Sequence, residues 1–432
     1  MLDAAPTLTP AQVSEILRTT AIDIHGSGYD SISGAGRYDA LRAVYKALTP
    51  AAPSLHHVWD SGVSSSDRIT NYATPLITGT VPANSFVRLY VDGIERGTRQ
   101  LGVGVTEFTI FPDIPLTDGN YIVTFRVAEN SSTPLANMSV SSAGLALTID
   151  TVAPKVANVT IKTSAGTPGH GPFAFNNPSD DANDFDGSGT QLRTVPVGGA
   201  DTVTITLNEN VGAAAGNDLI PTGLAFGAAP TLDSGGFTPS GSSLSWQFSA
   251  PLVRDQYLIS LADAVTDIAG NALDGEWINP FSRSTLSTAG VSVFPSGNNM
   301  AGGDFNFVFT ILPGDHELDN DVDGAGFLEW QRMLGGPGHT FQEADFNGDG
   351  YTNGADLAIQ NANFGLQLLD LVYADFNHDG IVNNLDYDIW DSNYASTETT
   401  HEYGDADGDT DVDDYDLDIL TRQFGLDLDW VA

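Results

Sequence analysis

The sequence has no cysteine, so no disulfide can staple it and no site can be built on thiolate ligands. It is also poor in cations. Sixteen lysines and arginines stand against 56 aspartates and glutamates, a formal net charge of −40 over 432 residues. Such a chain repels nucleic acid and anionic membranes and suits a cation. No stretch approaches the roughly 18 apolar residues of a membrane span, which excludes a transmembrane helix. The opening MLDAAPTLTP lacks the basic start and apolar run of a signal peptide. The expectation is therefore either a cytoplasmic protein or one whose true N-terminus lies upstream, and the domain types below favour the second.

What is present is a normal 41% of hydrophobic residues, enough to bury real cores. The length suggests two to four domains, since single cores seldom grow past roughly 250 residues. The acid is unevenly placed. From Pro313 onward there are 28 acidic residues and two arginines, Arg332 and Arg422, whereas the first 312 residues hold 28 acids and 14 bases.

Residues 1–50 read as two short helices. Thr9 caps the first, Pro10 takes its first position, Gln12 completes a capping box, and Val13, Ile16 and Leu17 mark its apolar face. After a Gly-rich stretch a second helix is predicted over Tyr38–Leu48, with Leu41, Val44, Tyr45 and Leu48 as its face. Two such helices cannot make a core alone, and no partner surface for them is evident in the sequence. LTPAQVSEILRTTAIDI followed by GAGRYDALRAV resembles the last two helices of a subtilisin-like serine protease domain. The nucleophilic Ser, the His and the Asp of that family would lie upstream, and none of their motifs is present. A hydroxyl without its imidazole is inert, so the resemblance implies a truncated, non-catalytic remnant.

After the linker Thr49–Pro53 the pattern changes to short alternating runs. Val87, Leu89 and Val91 alternate before an Asp92-Gly93 turn, followed by Tyr121, Val123, Phe125 and Val127, and by Leu145, Leu147 and Ile149. This predicts an antiparallel sandwich over 51–152. DSGVSSSDRITNYATPLITGTV, DGNYIVTFRVAEN and TIDTVAP resemble bacterial Ig-like repeats of surface proteins. A second sandwich is predicted over 153–312 from Val203, Ile205 and Leu207, then Leu244, Trp246 and Phe248, then Tyr257, Ile259 and Leu261, closed by Phe305, Phe307, Phe309 and Ile311. DAVTDIAGNALDG resembles the end of another Ig-like type found in surface-layer and adhesin proteins. Asp180, Asp181, Asp184 and Asp186 read as a solvated loop, and His56, His57 and His170 as solvent-exposed side chains, because none has a second histidine at metal spacing. Nothing marks either sandwich as catalytic.

The acidic tail carries a register. Segments beginning at Asp315, Asp345, Asp375 and Asp405 start 30 residues apart, the mark of a repeated structural unit. DFNGDGYTNGADL, DFNHDGIVNNLDY and DADGDTDVDDYDL place oxygen side chains at loop positions one, three, five, nine and twelve, with a backbone carbonyl at seven. Those are the positions by which an EF-hand loop surrounds Ca²⁺, a hard cation that takes six to eight oxygens at about 2.3–2.6 Å. The second loop would use Asp345, Asn347, Asp349, Asn353 and Asp356 with the carbonyl of Tyr351. The third would use Asp375, Asn377, Asp379, Asn383 and Asp386 with that of Ile381, whose side chain is expected to point inward. Gly350 and Gly380 fill the sixth position, where the turn wants positive φ. The fourth offers Asp405, Asp407, Asp409, Asp413 and Asp416 with the carbonyl of Asp411, but a β-branched Thr410 stands at position six. The first has Asp315, Glu317, Asp319 and Asp323, tolerates Asn320 at position six, and has Gly326 where the twelfth acid belongs, so it is expected to bind weakly or not at all.

A short amphipathic helix is predicted after each loop. Phe327, Leu357, Tyr387 and Leu417 are equivalent, as are Trp330, Trp390 and Leu420, with Gln360 departing from that pattern; Leu334, Phe364, Tyr394 and Phe424 are expected to close each repeat. Carboxylate crowding should oppose compaction without Ca²⁺, so folding coupled to binding is expected. These repeats resemble type I dockerins of bacterial extracellular proteins, which dock onto cohesins in cellulosomes. Their Ser-Thr recognition pair at positions ten and eleven is replaced here by Gly354-Ala355, Asn384-Leu385 and Asp414-Tyr415, and four repeats suggest two tandem pairs.

The expected fold is thus multidomain and mainly β: a helical segment (1–50), two Ig-like sandwiches (51–152 and 153–312) and a C-terminal α-helical dockerin- or EF-hand-like module (313–432). The expected function is non-catalytic. The chain would be part of a secreted bacterial protein, extracellular or at the cell surface, with Ca²⁺ as cofactor and a cohesin-like or cell-surface protein as partner. Two alternatives stand beside it: the remainder of a secreted subtilisin-like endopeptidase, and a cohesin-binding component of a polysaccharide-degrading complex.

Overall fold

Helix α1 (Pro10–Thr20) begins where the capping signal puts it. The Thr9 hydroxyl accepts from the Gln12 N–H, and Gln12 Oε1 accepts from the Thr9 N–H at 2.8 Å. The chain then turns back through a bridge between Ile22 and Arg37. Gly36 has φ +98°, and a Cβ there would lie 2.2 Å from the Ile22 carbonyl oxygen, so only glycine fits the return. Asp39 caps helix α2 (Ala40–Ala47) by accepting from the Arg42 N–H. This computed structural model describes residues 5–25, 28–29, 31–162, 173–174, 191, 194–224, 228–277, 294–317, 321–336, 341–366, 374–377, 381–397, 403–406 and 412–424.

The face of α2 is not the expected one. Ala43, Tyr45 and Ala47 are buried, Val44 and Leu48 are half-buried, and Leu41 is exposed. The reason is that α2 lies against α1 on one side and the first sandwich on another, and small alanines let the backbone approach closely. Tyr45 enters the sandwich core and its hydroxyl accepts from the Ser85 Oγ at 3.1 Å, while Arg42 pairs with Glu129 at 3.3 Å. The partner surface that the sequence did not reveal is the first sandwich itself.

That sandwich is built from strands β1 (Ser54–Leu55), β2 (Ile69–Thr70), β3 (Ile77–Thr80), β4 (Phe86–Val91), β5 (Ile94–Gln100), β6 (Glu107–Ile110), β7 (Gly119–Ala128) and β8 (Leu145–Ile149). A five-stranded sheet in the order β2-β8-β7-β4-β5 and a three-stranded sheet β1-β3-β6 share one core. The alternation read from the sequence sets the inward residues: Val87, Leu89 and Val91 of β4 lie beside Val127, Phe125 and Val123 of β7, all buried. Asp92 and Gly93 both have positive φ, as a two-residue hairpin turn between β4 and β5 requires.

The second sandwich comprises β9 (Val156–Lys162), β10 (Phe173–Ala174), β11 (Thr194–Val195), β12 (Thr202–Leu207), β13 (Val211–Ala213), β14 (Leu219–Gly223), β15 (Thr238–Ser240), β16 (Ser243–Gln247), β17 (Asp255–Leu261), β18 (Thr266–Asp267) and β19 (Phe305–Ile311). Its sheets run β10-β9-β12-β16-β15 and β11-β19-β17-β14, with β13 and β18 paired apart. Every apolar residue assigned to its strands from the sequence is buried in one cluster, which also holds Trp277. Asp180, Asp181, Asp184, Asp186 and His170 lie outside the described residues. His56 and His57 stack on each other, and His56 Nδ1 accepts from the Val58 N–H.

The tail forms helices α3 (Gly324–Met333), α4 (Gly354–Asn363), α5 (Asn384–Asn393) and α6 (Asp414–Gln423), one after each acidic loop. By contact the chain divides into two compact units. One is Met1–Val152 with Ile268–Asn271; the other is Ala153–Asp267 with Ala272–Ala432, so the second sandwich and the repeats are continuous. No helix among the described residues is long and apolar enough to cross a membrane.

Candidate metal centre

Loops 2, 3 and 4 are held by the same local device, best seen in the second. Position nine caps the helix: Asn353 Oδ1 accepts from the Ala355 N–H at 2.8 Å. Position twelve reaches back, with Asp356 accepting from the Asn353 N–H at 2.8 Å and the Asn347 N–H at 3.1 Å. Loop 3 repeats the arrangement, Asp386 accepting from Asn383 at 2.9 Å and from Phe376 at 2.8 Å. So does loop 4, where Asp416 accepts from Asp413 and from Ala406, both at 2.7 Å. One carboxylate thereby ties both ends of the loop. In loop 1 the twelfth residue, Gly326, has no side chain to do this.

The first-position acid lies beside it. Asp345 accepts from the Asp349 N–H at 3.1 Å and the Gly350 N–H at 2.7 Å, and Gly350 takes φ +84° as expected. Asp345, Asp356, Asp375, Asp386, Asp405 and Asp416 are all buried, yet no lysine or arginine occurs in the sequence between Arg332 and Arg422. Buried carboxylates are costly unless a cation or hydrogen-bond donors compensate them. The donor set is oxygen alone, which suits a hard cation. Among the described residues no three of these loop carboxylates bring oxygens within 4.8 Å of one another. Asp345, Asp356, Asp386 and Asp416 accept from backbone N–H groups, and a carboxylate has lone pairs enough to accept an N–H and meet a cation at once. Asp379, Gly380, Asp407, Asp409, Thr410 and Asp411 lie outside the described residues, as do Asp319 and Asn320.

Asn353 and Asn383 cap their helices through their side-chain oxygens, and their amides face the carbonyls of Tyr351 and Ile381. Two expectations need correction. Ile381 does not point inward; its side chain is exposed, as is that of Tyr351. The inward residue is position eight, where Val322, Thr352, Val382 and Val412 are fully buried. Finally, Leu334, Phe364, Tyr394 and Phe424 do not close the repeats. Each is about half exposed, because the chain leaves the helix there in extended conformation and throws the side chain outward.

Sequence reasoning missed the bonds by which the repeats pair. Position sixteen of one repeat donates to the position-nine carbonyl of its partner: Trp330 Nε1 to Asn353 O at 2.6 Å, Gln360 Nε2 to Asp323 O at 2.8 Å, and Trp390 Nε1 to Asp413 O at 2.9 Å. α3 thus packs on α4 and α5 on α6. The buried Gln360, an apparent flaw in the apolar register, keeps the hydrogen bond a tryptophan makes elsewhere. Position eight completes each pair with short strand-like bonds, Val322 to Gly365 and Leu366, and Val412 to Ala395 and Ser396. Phe346, Phe376 and Ala406 at position two were likewise unmarked, and all are buried.

The Asp356 and Asp386 carboxyls are pushed up, mainly by burial, with the charges of Asp345 and Asp375 adding and their backbone N–H partners opposing. A raised value means that the metal-free folded chain holds these protons more tightly than the unfolded chain. The resulting stabilisation is present in acid and is lost as pH rises through the raised values. Cation binding needs the deprotonated form and should tighten over the same rise. In chelator, the melting temperature of the wild type is expected to fall relative to an Asp356→Asn, Asp386→Asn double variant as pH rises above the ordinary carboxylate value. Circular dichroism melts at several pH values check this, and a relative rise with pH would contradict the assignment.

No curated protein matches the chain. The family of bacterial Ig-like domains matches residues 47–151, which covers helix α2's last residue and the whole first sandwich. Residues 47–151 are therefore a bacterial Ig-like domain.

Proposed function

We propose that this chain is a non-catalytic part of a secreted, multidomain bacterial protein in which Ig-like sandwiches carry a Ca²⁺-binding loop–helix module for attachment or assembly. The observation that carries the reading is the position-twelve carboxylate. In loops 2, 3 and 4 it is buried and bonded to the position-nine N–H and to an N–H at position two or three. A solvated acidic tail has no reason to repeat that geometry. The oxygen-only donor set and the absence of lysine and arginine between Arg332 and Arg422 support calcium as the missing counter-charge. The bacterial Ig-like domain supports the spacer role and an extracellular setting. Calorimetric titration of the full chain with Ca²⁺, followed by circular dichroism with and without chelator, is the test. Two or three sites with a gain of helix are expected; no heat and no spectral change would remove the reading.

Helices α1 and α2 support a narrower version, in which the parent is a subtilisin-like protease. The sequence of capped α1 and the following return resembles the end of that domain. An in-frame upstream segment carrying the Asp, His and Ser motifs would establish it. Cohesin binding is the third version. It lacks the Ser-Thr pair at positions ten and eleven, and absence of retention in a cohesin pull-down would eliminate it.

A further inference from the structure

Loop 1 departs from its three sisters at the twelfth position and in a bond made by its first-position acid. Position twelve is Gly326. A Cβ at that residue would lie 2.9 Å from Gln360 Nε2 and 3.0 Å from Gln360 Oε1, so the glutamine stands where an acidic side chain would have to begin. The repeat that lacks the twelfth acid faces the repeat that carries glutamine at position sixteen; the other three loops face Trp330, Leu420 and Trp390 there. Gly326 and Gln360 form one complementary pair, and the glutamine would have to shift for a side chain at 326 to make the loop closure seen elsewhere.

The first-position acid also bonds to the second sandwich. Asp315 is fully buried, and its Oδ2 accepts from the hydroxyl of Thr194 at 2.5 Å, a length usual for a hydroxyl on a carboxylate. Thr194, itself buried, belongs to β11, which pairs with β19 of the second sandwich. Around this bond the sheet grips the first repeat pair. Leu312 N–H donates to Val195 O, Gly314 N–H to Pro196 O at 3.0 Å, and Asn363 Nδ2 to Pro313 O at 2.8 Å. Arg254 of the sandwich donates to Ala362 O and Asn363 Oδ1, both at 3.1 Å.

We infer that loop 1 is a metal-independent joint: the Thr194 hydroxyl and the Gly326–Gln360 pair replace the cation and weld the first pair of repeats to the second sandwich. The joint deepens the calcium reading of the other loops. It assigns the metal to loops 2 to 4 and gives loop 1 the task of fixing the module's position on its spacer.

The test uses the full chain. Asp315→Asn removes the charge a cation needs but keeps an oxygen that can accept from Thr194. Thr194→Val removes the hydroxyl and leaves the loop's acids in place. The joint predicts that Asp315→Asn binds the same number of Ca²⁺ as the wild type by calorimetry. It predicts that Thr194→Val accelerates amide exchange over residues 312–326 by at least about tenfold in chelator, since a hydrogen bond to a charged group is lost. One calcium fewer in Asp315→Asn would overturn it, as would unchanged exchange in Thr194→Val. If the wild type binds no calcium at all, the reading of loops 2 to 4 fails, while the joint still stands or falls on the exchange experiment. If Thr194→Val does not fold, Thr194→Ser, which restores the hydroxyl, must fold with wild-type exchange for the joint to survive.

Discussion

Replacing Asp386 by asparagine is expected to lower the calcium affinity of loop 3 by at least about 30-fold, roughly 2 kcal/mol or more, the usual scale for removing one partner of a buried charge interaction. Asparagine keeps the size of the side chain but not its charge, and one of its two terminal atoms can no longer accept. Asp386 at present accepts from Phe376 and Asn377 through one oxygen and from Asn383 through the other. Whichever way the amide turns, at least one of these bonds is lost at a buried site, with a further cost of about 1–3 kcal/mol to the folded loop. The loss should appear in calorimetry as one missing site or one much weaker one. Asp388→Asn is the control, because Asp388 lies exposed on the same helix, α5. Equal affinities in the two variants would show that loop 3 is not built around a cation.

The second large effect is expected in the second sandwich. Trp246 is almost fully buried, packs on the ring of Phe237 at 5.1 Å, and donates its indole N–H to Gly216 O at 3.0 Å. Trp246→Ala removes that bond and leaves a cavity among β12, β16 and the residues facing them, a loss of about 3–5 kcal/mol. Such a figure is a large fraction of a domain's whole stability, so the variant should melt well below the wild type or fail to accumulate folded. A denaturant titration checks it. A change under about 1 kcal/mol would mean that the site repacks. Trp246→Phe, which keeps most of the ring and loses the donor, separates packing from the hydrogen bond.

Much of the molecule follows from patterns only a few residues long. The capping box at Thr9 and Gln12, the Asp92-Gly93 turn and the alternation in β4, β7, β12 and β17 are local. Each fixes backbone or side-chain direction before any distant contact forms. The same holds for the helix after each acidic loop, because the cap at position nine and the acid at position twelve are three residues apart. The 30-residue register was legible for that reason, and with it the residues that gather around each loop.

Errors arose where the answer depended on what lies opposite. The face of α2 could not be read from its own apolar residues, because α1 and the sandwich cover two sides of it and Leu41 is left exposed. Phe364 and its equivalents looked like core by register, but they fall on the residue at which each helix ends, and the backbone turns them out. Gln360 looked like a defect until Asp323 was placed beside it.

By itself the sequence determined the secondary structure, the alternating faces of both sandwiches and the positions of the acidic loops, since these rest on spacing along the chain. Tertiary structure decided which repeats pair, what α2 packs on, and that Asp315 meets a threonine 121 residues away in sequence. The physical reason is that a short polar side chain can cap, ligate or join equally well, and only the groups folded against it select among those roles.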